Sequence, residues 1–186
     1  MSIIKRSVAR GFTLIELLIV VIIVAILAAI VIPQFSSSTS DAQLAALDAN
    51  LATVRTALEQ YKAQHGNNYP GAKAATGGSC TVGKAADEGA TVGTDKAVLA
   101  QLTGYSTADG KTCTAPNADY KYGPYLRQAP IEPINNKGDI AAITDTGAPI
   151  TPAGTAAGGW AYDTKSGQFV MNSNSKDSNN KEYYTH

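Results

Sequence analysis

Apolar residues run without a break from Leu17 to Ile32, and no comparable run occurs later in the chain. Phe12 to Ile15 extend it across one charge, Glu16, giving 21 residues from Phe12 to Ile32. As a helix this segment is about 31 Å long, close to the thickness of a bilayer's hydrocarbon core. After Pro33 the pattern becomes periodic. Leu44, Leu47, Leu51, Val54, Leu58 and Tyr61 recur at intervals of 3 and 4, while Asp41, Asp48, Asn50, Arg55, Glu59 and Lys62 fall off that stripe. The spacing predicts an amphipathic helix. One long helix is therefore predicted over about residues 13–65. A kink is expected near Pro33, where the ring clashes with the preceding turn and an N–H is missing. Loosening is expected through Phe35-Ser36-Ser37-Ser38-Thr39. Ser40 or Asp41 could cap a second segment, and Gly66 is a natural stop. The stripe should pack on a globular domain; a coiled-coil seam is the alternative, for which three heptads are short.

The remainder, residues 67–186, reads as a head with less regular patterning. Asn67-Asn68-Tyr69-Pro70-Gly71 predicts a turn. Ala72 to Gly110 is rich in Gly, Ala, Thr and Lys and poor in aromatics, which predicts an open, loop-rich stretch with one short helix at Asp95 to Thr103. A short strand is expected within Tyr120 to Leu126. Pro130 and Pro133 should keep Ile131-Glu132 extended. The clearest hairpin joins Trp160 to Asp163 with Gln168 to Met171 through Thr164-Lys165-Ser166-Gly167. Trp160 and Tyr162 alternate to one face, and Gly167 suits a positive φ in the turn. Asn172 to His186 reads as a polar, poorly ordered tail, although its Tyr183-Tyr184 could dock. The class is α+β.

Charge sharpens the first segment. The whole chain carries 15 basic and 15 acidic side chains. The three charges before the apolar run, Lys5, Arg6 and Arg10, are all positive, and Asp41 and Asp48 follow it. The positive-inside rule then places the N-terminus in the cytoplasm and residues from about 34 onward outside. A secretory signal also begins with basic residues, but Ile32-Pro33-Gln34-Phe35 makes a poor cleavage site and the apolar stretch is long for a signal core. Glu16 is the anomaly, because a carboxylate in the hydrocarbon is costly. It could be an end-of-helix charge reaching the interface, or a carboxylate awaiting a positive partner in an assembly.

Gly11-Phe12-Thr13-Leu14-Ile15-Glu16-Leu17-Leu18-Ile19-Val20-Val21 resembles the N-terminal signature of type IV pilins and type II secretion pseudopilins: a short basic leader, Gly, Phe, Glu at the fifth place after the Gly, then an apolar helix. The resemblance covers about residues 1–70. It implies a pilin-like fold, with a long kinked helix packed on a small antiparallel sheet in a loop-rich head. It implies four parts: a cleaved leader 1–11, a transmembrane and filament-core helix 12–33, an amphipathic continuation 34–66 and an extracytoplasmic head 67–186. It also implies a prepilin peptidase that cuts between Gly11 and Phe12 and N-methylates Phe12. Cleavage would remove the three leader charges and create an amine at Phe12. The resemblance implies that Glu16 pairs with that amine on a neighbouring subunit, since opposite charges in low dielectric attract strongly while either alone is costly. Thr13 reads as a membrane-end residue whose hydroxyl bonds locally.

Cys80 and Cys113 are the only cysteines. Outside the membrane they are most simply a disulfide, with two free thiols as the alternative. The two histidines are His65, read as a C-terminal helix cap favoured by the dipole, and His186. No Cys-x-x-Cys, His-Glu-x-x-His, Walker loop or Gly-x-Ser-x-Gly occurs, so no catalytic residues, cofactor or metal are expected. Asp163, Asp177 and Glu182, with Asn172, Asn174, Asn179 and Asn180, offer oxygens of the kind calcium takes, but in no calcium-loop spacing.

Three functions remain: a filament subunit, a plain membrane-anchored periplasmic protein, and a tethered enzyme or binding protein with a site in loops such as 105–125. The first is favoured, because copies packed together bury the carboxylate beside an amine. Its partners would be the prepilin peptidase, copies of itself and other pilin-like subunits, and membrane lipid before assembly. The resemblance adds an inner-membrane platform and a cytoplasmic ATPase. A zero net charge without a basic patch argues against nucleic acid. Ala57-Leu58-Glu59-Gln60-Tyr61-Lys62 followed by Tyr69-Pro70 favours a secretion pseudopilus over a surface pilin for adhesion, motility or DNA uptake. The long Gly/Ala/Thr insert weighs the other way.

Overall fold

The computed structural model describes residues 12–152 and 158–186, and the backbone alone for residues 32–37. Gly11 and the basic leader lie outside the described residues. The chain divides into two compact units, Met1–Ser40 and Asp41–His186.

Helix α1 runs from Leu14 to Gln64 and belongs to both units. Its backbone stays helical through Pro33 and through residues 35–39, so the expected loosening there is absent. A proline inside a helix forfeits one hydrogen bond, and long helical stretches on both sides carry the ladder across it. In the second unit the 3–4 stripe is the buried face: Leu44, Leu47, Leu51, Val54, Leu58 and Tyr61 are all in the core. The helix ends in a Schellman turn, with Gly66 at φ +62° and Asn67 N–H donating to the Lys62 carbonyl at 3.1 Å.

Opposite that stripe stands a three-stranded sheet in the order β3-β4-β5: β3 is Ile140–Thr144, β4 Trp160–Asp163 and β5 Phe169–Met171. β4 and β5 form the expected antiparallel hairpin, with Trp160 opposite Met171 and Tyr162 opposite Phe169. β3 joins β4 in parallel, so the sheet is mixed. Trp160, Tyr162, Phe169 and Met171 pack into one cluster with the α1 stripe. The indole N–H of Trp160 donates to the Pro130 carbonyl at 2.9 Å, and the Tyr162 hydroxyl to that of Pro70 at 3.1 Å. Gly167 closes the hairpin at φ +75°, and a Cβ there would stand 2.3 Å from the Tyr69 ring.

The stretch 72–110 is largely irregular, yet it contributes more core than its composition suggests. α2 (Asp95–Thr103) is capped by Thr94, whose hydroxyl accepts from Ala97 N–H at 3.2 Å. Its Val98 and Leu102 join the main cluster, while Ala75, Ala90 and Ala97 form a second small one. Gln101, fully buried, accepts from Gly71 N–H at 2.6 Å and donates to the carbonyls of Lys73 (3.0 Å) and Gly110 (2.8 Å). A small ladder pairs β1 (Tyr105–Ser106) with β2 (Thr112–Cys113). Cys113 is joined to Cys80, with their Cα atoms 5.9 Å apart. Tyr120 to Leu126 forms no strand; only Tyr122 bridges to Ser106.

Residues 172–186 are not a loose tail. Asn172 and Ser173 are buried, Lys176 bridges to Glu182, and a 3₁₀ turn at Tyr183–Thr185 packs Tyr183 on the core. Arg55 of α1 donates to the His186 carbonyl at 2.8 Å. The imidazole of His186 lies between Asp48 (3.0 Å) and Asp177 (3.4 Å). Polar composition misleads here because the polar groups bond to the body as well as to water.

Candidate functional site

The first unit presents its chemistry at the head of α1. Thr13 is the N-cap and Glu16 the third residue of the helix, so Thr13-Leu14-Ile15-Glu16 is a capping box. The Glu16 carboxylate Oε2 accepts from the backbone N–H of Thr13 at 2.8 Å and from its hydroxyl at 2.8 Å. In return Glu16 N–H donates to Thr13 Oγ1 at 3.2 Å. The partial positive charge of a helix N-terminus also favours a carboxylate there. Glu16 is thus engaged within its own chain, and the Thr13 hydroxyl bonds locally, as expected, with Glu16 as its partner. The signal was readable: Thr-x-x-Glu before an apolar run is a helix start.

From Leu17 to Ile32 the helix carries only apolar residues. Leu14–Val31 is long and apolar enough to cross a membrane, and none of it is buried. Phe12 is 91% exposed, and the large side chains through Val31 are all at least 42% exposed. In lipid such side chains gain little by leaving their solvent. Association there depends on close packing and on polar groups, of which residues 12–31 offer Thr13 and Glu16.

The second unit gathers its polar groups for structure. Asp163, fully buried, is the densest node. It accepts from the Thr144 hydroxyl (2.8 Å) and from the N–H groups of Thr146 (2.9 Å), Gly147 (3.1 Å), Lys165 (3.0 Å) and Ser166 (2.6 Å). Burial alone would raise its pKa, but these donors together hold the carboxyl far below the ordinary aspartate range. It serves as the clamp between two loops, and its oxygens are occupied. Asp177 similarly accepts from Asn179 and Lys181 N–H at 2.8 Å each. Among the described residues no three His, Cys, Asp or Glu side chains converge as a metal site.

His65 follows the last residue of α1, Gln64, and its ring meets a last-turn carbonyl, as a helix-end cap should. It is buried and stacked on Tyr61 at 3.7 Å. Nδ1 lies 2.8 Å from the Tyr61 carbonyl and Nε2 lies 2.9 Å from Ser106 Oγ. The carbonyl requires a proton on Nδ1, so in the neutral ring Nε2 accepts from the serine. Burial lowers its pKa. Tyr125 and Tyr122 meet the His65 ring edge-on at 6.2 and 5.3 Å.

Residues 6–32 match a family model described as the prokaryotic N-terminal methylation motif. This is the prepilin signature of type IV pilins and pseudopilins, and it spans Arg6, Arg10, Gly11, Phe12, the Thr13–Glu16 cap and the apolar run to Ile32. The motif supports a pilin-like subunit and implies processing by a prepilin peptidase, and the apolar helix that follows it points to membrane anchoring. No curated protein and no solved structure matches the chain.

Proposed function

We propose that this chain is the structural subunit of a type IV pilus-like filament, made in the bacterial inner membrane with its N-terminus cytoplasmic and its head outside. In this reading the peptidase cuts between Gly11 and Phe12, and Phe12 becomes the N-methylated first residue. The observation that carries the reading is the apolar span Leu14–Val31 with no buried residue, headed by a carboxylate held in a cap. Thr13 shelters Glu16 while the subunit waits in lipid. On assembly the new amine of Phe12 on a neighbour offers a stronger partner, because two opposite charges in low dielectric outweigh neutral donors. Packing against copies then covers the helix, and contacts that repeat without closing give the filament its length. Pro33, lacking an N–H, is where the helix bends most easily to accommodate packing. A platform protein and a cytoplasmic ATPase would extract the subunits.

Glu16→Ala and Glu16→Lys test this. Both should still insert and be cut, with mature protein accumulating in the membrane fraction and sheared filaments scarce. Normal filament yield from either would contradict it.

The pseudopilus of protein secretion is the preferred branch, on the helix end Ala57 to Lys62 followed by Tyr69-Pro70. A surface pilus is favoured by a different feature, the long insert carrying α2 and the Cys80–Cys113 bridge. Deleting the gene and scoring secreted proteins against surface fibres and twitching separates the two.

A further inference from the structure

The head carries a cleft of about 690 Å³ beside the exposed edge of β3. One wall is formed by the loops that follow β3 and β4, which bring Asp145 and Lys165 to its surface; the other holds Asn67 and Val92. The first wall is fixed from beneath. Asp163 accepts hydrogen bonds from Thr146 and Gly147 in one loop and from Lys165 and Ser166 in the other, so a single buried carboxylate sets their separation. The opposite wall is tied by Gly93 N–H donating to Gly71 carbonyl at 2.9 Å, and by Gly71 N–H donating to Gln101. Walls held by buried hydrogen bonds are the support that a preorganised binding surface needs.

The groups at the surface of the cleft are, by contrast, uncommitted. The side chains of Asn67, Asp145 and Lys165 make no hydrogen bond or ion pair among the described residues. They supply one amide, one carboxylate and one ammonium, so donors and acceptors are both present and the formal charges cancel. Val92 is one of three large apolar side chains exposed on the head among the described residues, and half-buried Ile143 adds a second apolar surface to the same cleft. A fixed anion would meet Asp145 and a fixed cation Lys165. A neutral ligand with several hydroxyls and an apolar C–H face satisfies every group, and the volume falls in the range of small-molecule sites.

We propose that this cleft is a binding site for a neutral di- or trisaccharide, with Asp145, Lys165 and Asn67 as the polar contacts and Val92 against the sugar's C–H face. The site stands independently of the filament reading, because all its residues belong to the head.

Saturation-transfer NMR tests it on the full chain in a phosphocholine detergent, which carries no sugar headgroup. The probes are cellobiose, lactose, N,N′-diacetylchitobiose and maltotriose, with the uncharged peptide acetyl-Val-Thr-Val-Thr-amide as the competing occupant of the β3 edge. Transfer to at least one sugar is expected. Its affinity should fall by about tenfold in Asp145→Ala or Lys165→Ala, the loss of a hydrogen bond to a charged group. The melting temperature should not move, since both side chains are exposed and unpaired. Transfer to none of the sugars, affinity unchanged in both variants, or transfer to the peptide alone would overturn the proposal.

Discussion

Thr13 and Glu16 show how a residue that looks like a misfit can be locally satisfied. A carboxylate near the membrane interface is tolerable when it caps its own helix, and it stays exchangeable because only neutral donors hold it. Thr13→Val removes the hydroxyl and keeps the volume. It should lower filament yield by about fivefold while leaving membrane insertion and cleavage intact, whereas Thr13→Ser should behave as the parent. Comparing sheared-filament and membrane fractions by immunoblot decides between them. His65 offers a second residue-scale test. Burial places its folded pKa below the ordinary 6.5, so the unfolded chain binds more protons as pH falls. Its contribution is therefore full above that value and is lost as pH drops through it. The melting temperature of the parent should fall on going from about pH 8 to about pH 5 by more than that of His65→Phe, which stacks but does not titrate. Equal slopes would remove His65 from the account. Both residues were visible in the sequence, but only the capping pattern was decodable there. The burial of His65 depends on Ser106 and Tyr122, which are distant along the chain.

Legibility at the scale of elements follows the range of the interactions. The stripe from Leu44 to Tyr61 and the Trp160–Met171 hairpin are encoded in local periodicity and turn residues, so spacing alone locates them. α2 likewise announces itself through Thr94-Asp95 and Gly104. β3 does not. Ile140-Ala141-Ala142-Ile143-Thr144 is short and small, and it pairs in parallel with a strand that begins 16 positions later, at Trp160. Its place follows from Asp163 clamping the loops at its end, which no local pattern reports. The hold on residues 172–186 is hidden for the same reason, because its partners Asp48 and Arg55 are distant in sequence; only the docking of Tyr183 is expected from the tail's own residues. The insert 72–113 depends on one small ladder, Gln101 and the Cys80–Cys113 bridge. Opening that bridge frees a loop with a sequence separation of 33. Reduction under otherwise native conditions should cost about 3–4 kcal/mol on the chain-entropy model. Calorimetry with and without reductant measures it; an unchanged unfolding temperature would show that the loop is held by its hydrogen bonds alone.

For the whole molecule, zero net charge and an unremarkable hydropathy conceal two units with different solvents. One is an apolar helix with its side chains uncovered; the other is a head whose core is closed by α1, α2 and a mixed sheet. The first requires lipid or copies of itself, and the second folds around one face of the same helix. An assembling subunit and a solitary anchored protein share this architecture and differ only in what covers residues 14–31. The direct measurement is a photo-crosslinking residue at Ile23, activated in cells making the chain. The filament account predicts a ladder of regularly spaced multimers that disappears when Glu16→Ala is added, although the cleaved monomer persists. Monomer alone from the parent, or an identical ladder from the Glu16→Ala chain, would contradict it.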